Sequence, residues 1–593
     1  MAMSQARLDR ADVDAWTGCM FSCNMVKTTF AIRGGWVMKK LYGLAAFLTT
    51  GFLVFQPVMA QSVASGAFLA GRFAQSHGDW ARASGYFNQA LLADSSNPVL
   101  LRQGFLLALA SGQVEAARNL GRSILAKGDS YHMAEVLAVA DAFVAHDSAK
   151  AGKLVSAMPE DGLGGLLKPI LAGWVLALDG KYTKAQALLE PGSKDEGMGA
   201  LYALHVGLLA ELSGKMFEAE KWYRTSLDVA VTSRAAQALA ALLQKQGRMD
   251  EAEAVLAEMD RAMPGWERAP GAKLGSLVTG AQEGVAELLF DMALVLEGQD
   301  MGEAASLYAQ VALVLKPGFA EAHILLGEAM LESGQEQAAL EQFRQVSETS
   351  WAWWPAQLGM AQILENLDRG DEAVALLRKM GESSAENVVP QVRLADLLRR
   401  QKRFAEAAAA YEMALARLDA EDSRAWELHY WCGASLEQAG AWPKAEAELR
   451  LALAKVPDHP LVLNYLGYSL VDRGEKLAEA FAMLQKAAEM RPEGFILDSL
   501  GWAHFRMGHY ADAVRYLDEA VALDPADATI NDHLGDAYWR MGRHREARFQ
   551  WLRARGLAGT QDAAFRAAMD AKLDKGLSNP ADLVDGYAKA VAE

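Results

Sequence analysis

A spacing of 34 residues constrains this chain more than any other feature. From Asp498 to Pro525 it reads DSLGWAHFRMGHYADAVRYLDEAVALDP, and the same small residues return 34 positions to either side. Gly501 follows Leu500, Gly535 follows Leu534 and Gly467 follows Leu466. With Gly501 as position 8 and Ala513 as position 20, position 8 falls at Gly71, Phe105, Val139, Gly173, Gly207 and Ala240. It continues at Ala293, Gly327, Ala361, Ala395, Gly433, Gly467, Gly501 and Gly535. The steps are 34 residues, apart from one of 33, one of 38 and a single break between Ala240 and Ala293. Position 20 is alanine in thirteen of the fourteen repeats, and in the other Ala480 comes one residue late. Small residues at two fixed points imply two helices crossing closely, at the short end of the ~8–10 Å range of interaxial distances. Glycine at position 15 (Gly78, Gly112, Gly180, Gly214, Gly247, Gly508, Gly542) supplies the positive-φ turn between them. Larger residues at position 24, such as Phe87, Tyr223, Phe343, Tyr411 and Trp551, fill the space between the helices. A generic alanine-rich bundle has no reason to hold such a period.

These offsets, L-G, then A-x3-F, then P, resemble the tetratricopeptide repeat, a helix–turn–helix of 34 residues. The resemblance extends over nearly the whole chain after residue 63. It implies an all-α solenoid, a right-handed superhelix of about fourteen helix–turn–helix repeats in two blocks. The first block is expected at 61–263 with six repeats and the second at 286–561 with eight. Between them, 264–285 breaks the phase with Pro264, Pro270 and several glycines, as a hinge or a divergent repeat. GLGGLLKP, Gly162 to Pro169, reads as a loosened connection into the fourth repeat. Residues 562–593 read as capping helices.

Before the array, 1–37 has no pattern and reads as a non-translated or disordered extension. Lys39 and Lys40 then precede an uncharged run, LYGLAAFLTTGFLVF, and QPVMA ends at Ala60. That is the order of a secretory signal peptide, 38–60, with translation starting at Met38 and cleavage before Gln61. The alternative is an uncleaved inner-membrane anchor over 41–60. Cys19 and Cys23 lie upstream of the apolar run, so neither is a lipid-attachment cysteine, and Cys432 at position 7 reads as a small buried hydrophobe. With 58 basic and 75 acidic residues the net charge is −17, which repels phosphate backbones and argues against nucleic acid as a partner.

Catalytic constellations are absent from the sequence. There is no H-E-x-x-H, no G-x-S-x-G and no P-loop, and HREAR at His544 lacks the second histidine of a zinc motif. Asp532, His533 and Asp536 lie close on one helix, a grouping more often solvated surface than metal ligands. The expectation is therefore no enzyme, no cofactor and no metal. WAWWP, with Trp351, Trp353 and Trp354, reads as inter-repeat packing before an exposed anchor.

The resemblance places positions 2, 5, 9, 12 and 13 of each first helix on a concave wall. Those positions carry Asn464 and Tyr468 in repeat twelve, Asp498, Trp502 and Phe505 in repeat thirteen, and Asp532, Asp536 and Trp539 in repeat fourteen. Aromatic anchors with a polar rim suit an extended or helical protein segment, and on this reading Trp502→Ala with Asp498→Ala would abolish partner capture while melting changes little. Asp498 and Asp532 stand where the family's carboxylate clamp needs other residues, so a chaperone C-terminus is not the expected ligand.

NYLGY (Asn464 to Tyr468), DSLGW (Asp498 to Trp502) and HLGD (His533 to Asp536) also resemble Gram-negative envelope adaptors of this repeat type. One such adaptor is the lipoprotein partner of a periplasmic carboxyl-terminal processing protease. That resemblance, over the last quarter of the chain, implies a periplasmic scaffold or adaptor binding a protein or peptide partner, such as an envelope protease. The alternatives are a subunit of a polysaccharide or lipoprotein export or assembly machine, or an anchored scaffold facing the periplasm. Membrane contact would come only through a partner or an uncleaved anchor.

Overall fold

A computed structural model describes residues 62–262, 274–383, 387–419, 422–559 and 562–577. The expected extension at 1–37, the expected leader at 38–60, Cys19, Cys23, residues 264–273 of the connector and 578–593 of the expected cap lie outside these residues. Among the described residues regular structure is helical throughout, with no strand. Helices from Ser62–Ser76 to His544–Leu557 form fourteen helix–turn–helix pairs, and one more helix, Ala563–Lys575, follows the last pair.

The 34-residue register is reproduced in the packing. Every position-20 alanine, from Ala83 to Ala547 and including the late Ala480, is at most 1% exposed. The position-8 glycines meet the position-24 side chains. A Cβ on Gly71 would lie 2.7 Å from Phe87, one on Gly501 2.7 Å from Leu517, and one on Gly535 2.5 Å from Trp551. In repeats eleven, twelve and fourteen the position-20 carbonyl also lies 3.1–3.2 Å from that point. The alanine buries its own side chain, while the glycine admits the large residue one turn further along the second helix.

Position 15 has positive φ in all fourteen repeats, between 53° and 81°, not only in those with glycine. His146, Asp300, Asp368 and Lys402 adopt it without glycine's freedom. A left-handed L-residue costs ~1–2 kcal/mol, offset in part by glycine's greater loss of entropy on folding. Lys402→Gly should therefore raise unfolding stability by about 0.5–1 kcal/mol in chemical denaturation; a lowered midpoint would refute the strain. Repeat twelve explains its late alanine here. After Gly474 (φ 71°), Lys476 takes a second left-handed conformation (φ 45°), adding one residue to the turn before Leu477–Met490.

Two expectations need correction or refinement. Gly162–Leu178 is one continuous helix with Pro169 inside it, the first helix of repeat four, not a loosened connection. Gly165 lets the chain turn back tightly, since a Cβ there would lie 2.1 Å from the Glu160 carbonyl oxygen. Of the connector, residues 281–285 already belong to the first helix of repeat seven, Ala281–Glu297. Trp351 and Trp354 are buried, and the Trp351 indole N–H donates to Glu321 (2.8 Å), so these two belong to packing. Cys432 is fully buried, and burial pushes its thiol well above the usual range.

The described chain divides into two compact units between Leu376 and Leu377, within the second helix of repeat nine, Gly370–Ser383. In the N-terminal unit, repeat seven folds back on earlier first helices. The Tyr308 hydroxyl meets His132 Nε2 of repeat three, and Trp174 of repeat four lies over Gly284, where a Cβ would be 2.3 Å from its ring. Arg234, 2% exposed, is bonded to Glu287 (2.7 and 2.8 Å), Gln237 (2.6 Å) and Glu321, and its guanidinium lies over Phe319. The first helices of repeats three and four are thus covered by the unit's own chain. In the C-terminal unit, successive first helices pack side by side: Pro460–Arg473 against Gly494–Arg506, and that against Ala528–Arg540.

Candidate protein-binding face of repeats twelve to fourteen

Helix periodicity brings the expected residues to one face, since spacings of three and four return to the same side. Within that face the structure sorts them into three groups.

The first is an aromatic stack. Trp502 lies parallel to Phe505 (centroids 4.7 Å, 10°) and to His533 of the next repeat (4.1 Å, 15°). Phe505 is buried in the hydrophobic core of repeats thirteen and fourteen with Leu517, Leu534 and Trp551, while Trp502 and Trp539 pack against that core half-buried. Phe505 therefore serves the core, and Trp502 is its outward layer. Tyr468 is half-buried one repeat earlier.

The second group is carboxylates, and here the expected polar rim is wrong. Asp498 is fully buried and bonded to His533 Nδ1 at 2.9 Å. Asp532 and Asp536 are 8% and 5% exposed. Lys572 Nζ, on the helix after the array, donates to Asp532 (2.6 Å) and to both oxygens of Asp536 (2.8 and 2.9 Å). The Trp551 indole N–H also donates to Asp536, at 2.9 Å. Burial pushes the Asp532 carboxyl up to about 6, against the pull of Lys572. Desolvation opposes the Lys572 charge, but the two carboxylates outweigh it and hold the ammonium above its usual range. Asp532, His533 and Asp536 are thus buried and paired within the protein rather than solvated. Asp498→Ala would leave His533 without its partner in a buried site, so its loss is not neutral for stability.

The third group is polar atoms with no hydrogen-bond partner among the described residues. Asn464 is 3% exposed and its Oδ1 is a buried, unmet acceptor; Trp502 Nε1 is a buried, unmet donor. They stand on adjacent first helices at positions 5 and 9. Sequence reasoning named both residues but had no means of finding that these atoms are unsatisfied. It missed His533 as the bridge of the stack and Lys572 as the counter-ion, because both contacts depend on packing between elements 35 to 40 residues apart. Among the described residues no group of three or more His, Cys, Asp or Glu is placed to hold a metal ion. No described helix is long and apolar enough to cross a membrane.

Paired helices with small residues at the crossing, a left-handed turn in every repeat and side-by-side first helices define a tetratricopeptide-repeat solenoid, an architecture suited to protein–protein scaffolding. Residues 392–460 and 499–559 match the family model described as "Tetratricopeptide repeat". The chain is 32% identical over 217 residues to a protein of Pseudomonas aeruginosa described as "TPR repeat-containing protein PA4667". That match covers 36% of this chain and spans 36% of the relative's length. Among solved structures, MamA AMB-1 is 24% identical over 28% of this chain and 96% of its own, with a TM-score of 0.25. The Cut9–Hcn1 hetero-tetramer of APC/C is 16% identical over 88% of this chain and 97% of that one, with a TM-score of 0.33.

Proposed function

We propose that this protein is a non-enzymatic scaffold or adaptor that holds an extended protein segment along the first helices of repeats twelve and thirteen. One observation carries the proposal: an unmet acceptor, Asn464 Oδ1, and an unmet donor, Trp502 Nε1, on neighbouring helices. Buried polar atoms are normally paired. An extended main chain offers an N–H and a C=O in alternation, and would meet these buried atoms only once the side chains over them move aside. The half-buried faces of Trp502 and Tyr468 beside them supply apolar contact of the kind that anchors interfaces. Within the N-terminal unit, repeat seven already covers the first helices of repeats three and four.

The test separates the indole N–H from the ring. Trp502→Phe keeps an aromatic ring in the stack and removes the donor. Partners recovered from envelope extract by crosslinking and mass spectrometry, once identified, should bind this variant about tenfold more weakly, as loss of one buried hydrogen bond implies. Wild-type affinity in Trp502→Phe and Asn464→Ala together, with melting unchanged, would remove these residues from the binding face.

The proposal includes a periplasmic location and an envelope partner, such as a protease or an export or assembly complex, on the strength of the leader-like 38–60 and the envelope-type motifs. The exported chain should begin at Gln61 by N-terminal sequencing. A mature chain that retains Met1 would overturn export.

A further inference from the structure

We propose that the helix Ala563–Lys575 is a plug: it occupies the face of repeat fourteen in place of a partner, and a partner segment bearing a lysine-type ammonium displaces it. The proposal rests on the binding face described above and extends it by one repeat.

The seat is specific. Asp532 and Asp536 stand at positions 5 and 9 of the last repeat, the positions taken by Asp498 and Trp502 in the repeat before. In repeat thirteen the position-5 carboxylate is held by His533 of the following repeat. In repeat fourteen no further repeat is described, and the counter-ion is Lys572 instead, bonded to both carboxylates at 2.6–2.9 Å. At the end of the same helix Gly576 lies on Trp539 at position 12, where a Cβ would meet the indole at 2.0 Å. The segment thus covers positions 5, 9 and 12 together, with an ammonium between two acids and main chain flat against an indole.

The rest of the helix is held mainly through half-buried side chains: Phe565, Leu573 and, just past its end, Leu577 pack against the core that holds Met569 and Trp551. Met569 is its one buried side chain, whereas the helices of repeats twelve to fourteen bury three or more each. Its polar ties beside the Lys572 seat include Arg548 to the Leu573 carbonyl and an exposed pair, Arg555 with Asp570 (2.7 Å). Segments with few buried apolar groups open at low free energy. Gly576, at φ 72° and ψ −169°, takes a conformation essentially limited to glycine, so the chain leaves the indole along a path other residues would not follow. A helix with fewer fully buried side chains than its neighbours and a charged, well-defined seat together describe an intramolecular competitor. By mass action, a tethered occupant weakens a free ligand by its own occupancy of the seat.

The test uses the full chain, a loosened variant Lys572→Ala with Met569→Ala, and a fluorescein-labelled synthetic peptide spanning residues 562–577. Hydrogen exchange in the wild type should show 563–575 opening at least tenfold more readily than 528–540. The labelled peptide should bind the loosened variant at least tenfold more tightly than the wild type, and Asp532→Asn with Asp536→Asn in that variant should abolish the gain. Equal protection of 563–575 and 528–540, or no peptide binding by a loosened variant that keeps its melting behaviour, would make the helix an integral cap and overturn the proposal. If the peptide binds as expected while Trp502→Phe leaves partner affinity unchanged, the plug stands and the repeat twelve–thirteen face falls.

Discussion

Arg234→Met should lower the stability of the N-terminal unit by about 3 kcal/mol, toward the lower end of the ~3–5 kcal/mol typical of breaking a buried ion pair. Arg234 is 2% exposed and Glu287 is 0% exposed, so removing the guanidinium leaves a carboxylate in a dry interior. Two features moderate the loss. Lys316 remains 3.1 Å from Glu287, and Glu321 keeps the Trp351 indole N–H at 2.8 Å. Methionine also preserves part of the contact with Phe319 and Phe290, over which the guanidinium lies at 5.0 and 5.7 Å. Glu287→Gln in the Arg234→Met background should recover part of the loss, because the stranded charge then disappears. Urea denaturation of the three proteins decides it, and an Arg234→Met midpoint equal to wild type would mean the network contributes nothing to folding.

Trp551→Ala should cost about 3–5 kcal/mol, the range for deleting a large aromatic from a packed core. The ring is fully buried, sits where a Gly535 Cβ would lie 2.5 Å away, and donates its N–H to Asp536. Its removal leaves a cavity at the crossing of the last two repeat helices and takes one donor from the carboxylate that seats Lys572. Stability in a solenoid is close to a sum of neighbour terms, so the damage should be local. Amide protection should fall across 510–575 and persist in Ala425–Gln438 and Trp442–Lys455. Uniform loss across the C-terminal unit would show a single cooperative block instead.

The candidate face was legible in outline. Spacing put Asn464, Tyr468, Asp498, Trp502, Phe505, Asp532, Asp536 and Trp539 on one face of the first helices, and the family resemblance made that face the inward one. It did not separate those that line a surface from those that are covered, because periodicity names the side of a helix and not what lies against it. Phe505 belongs to the core and Asp498 to a buried pair with His533. Asp532 and Asp536 are covered by a helix whose sequence reads only as a cap. The unmet atoms of Asn464 and Trp502 are a property of the whole neighbourhood, so no motif records them.

What the sequence determined by itself was the repeat: fourteen helix pairs, the alanine at each crossing, and glycine turns in the repeats that have them. These follow from local sterics, since a close crossing admits only small side chains and a left-handed turn favours glycine. Tertiary structure decided the rest. It imposed the left-handed turn on His146, Asp300, Asp368 and Lys402, where the flanking helix pairs hold a residue without glycine's freedom in it. It folded repeat seven onto repeats three and four, placed Arg234 among distant carboxylates, and laid Lys572 between Asp532 and Asp536. Each of those contacts joins residues tens to more than a hundred positions apart, and only the accumulated geometry of the intervening repeats brings such residues within a few ångströms.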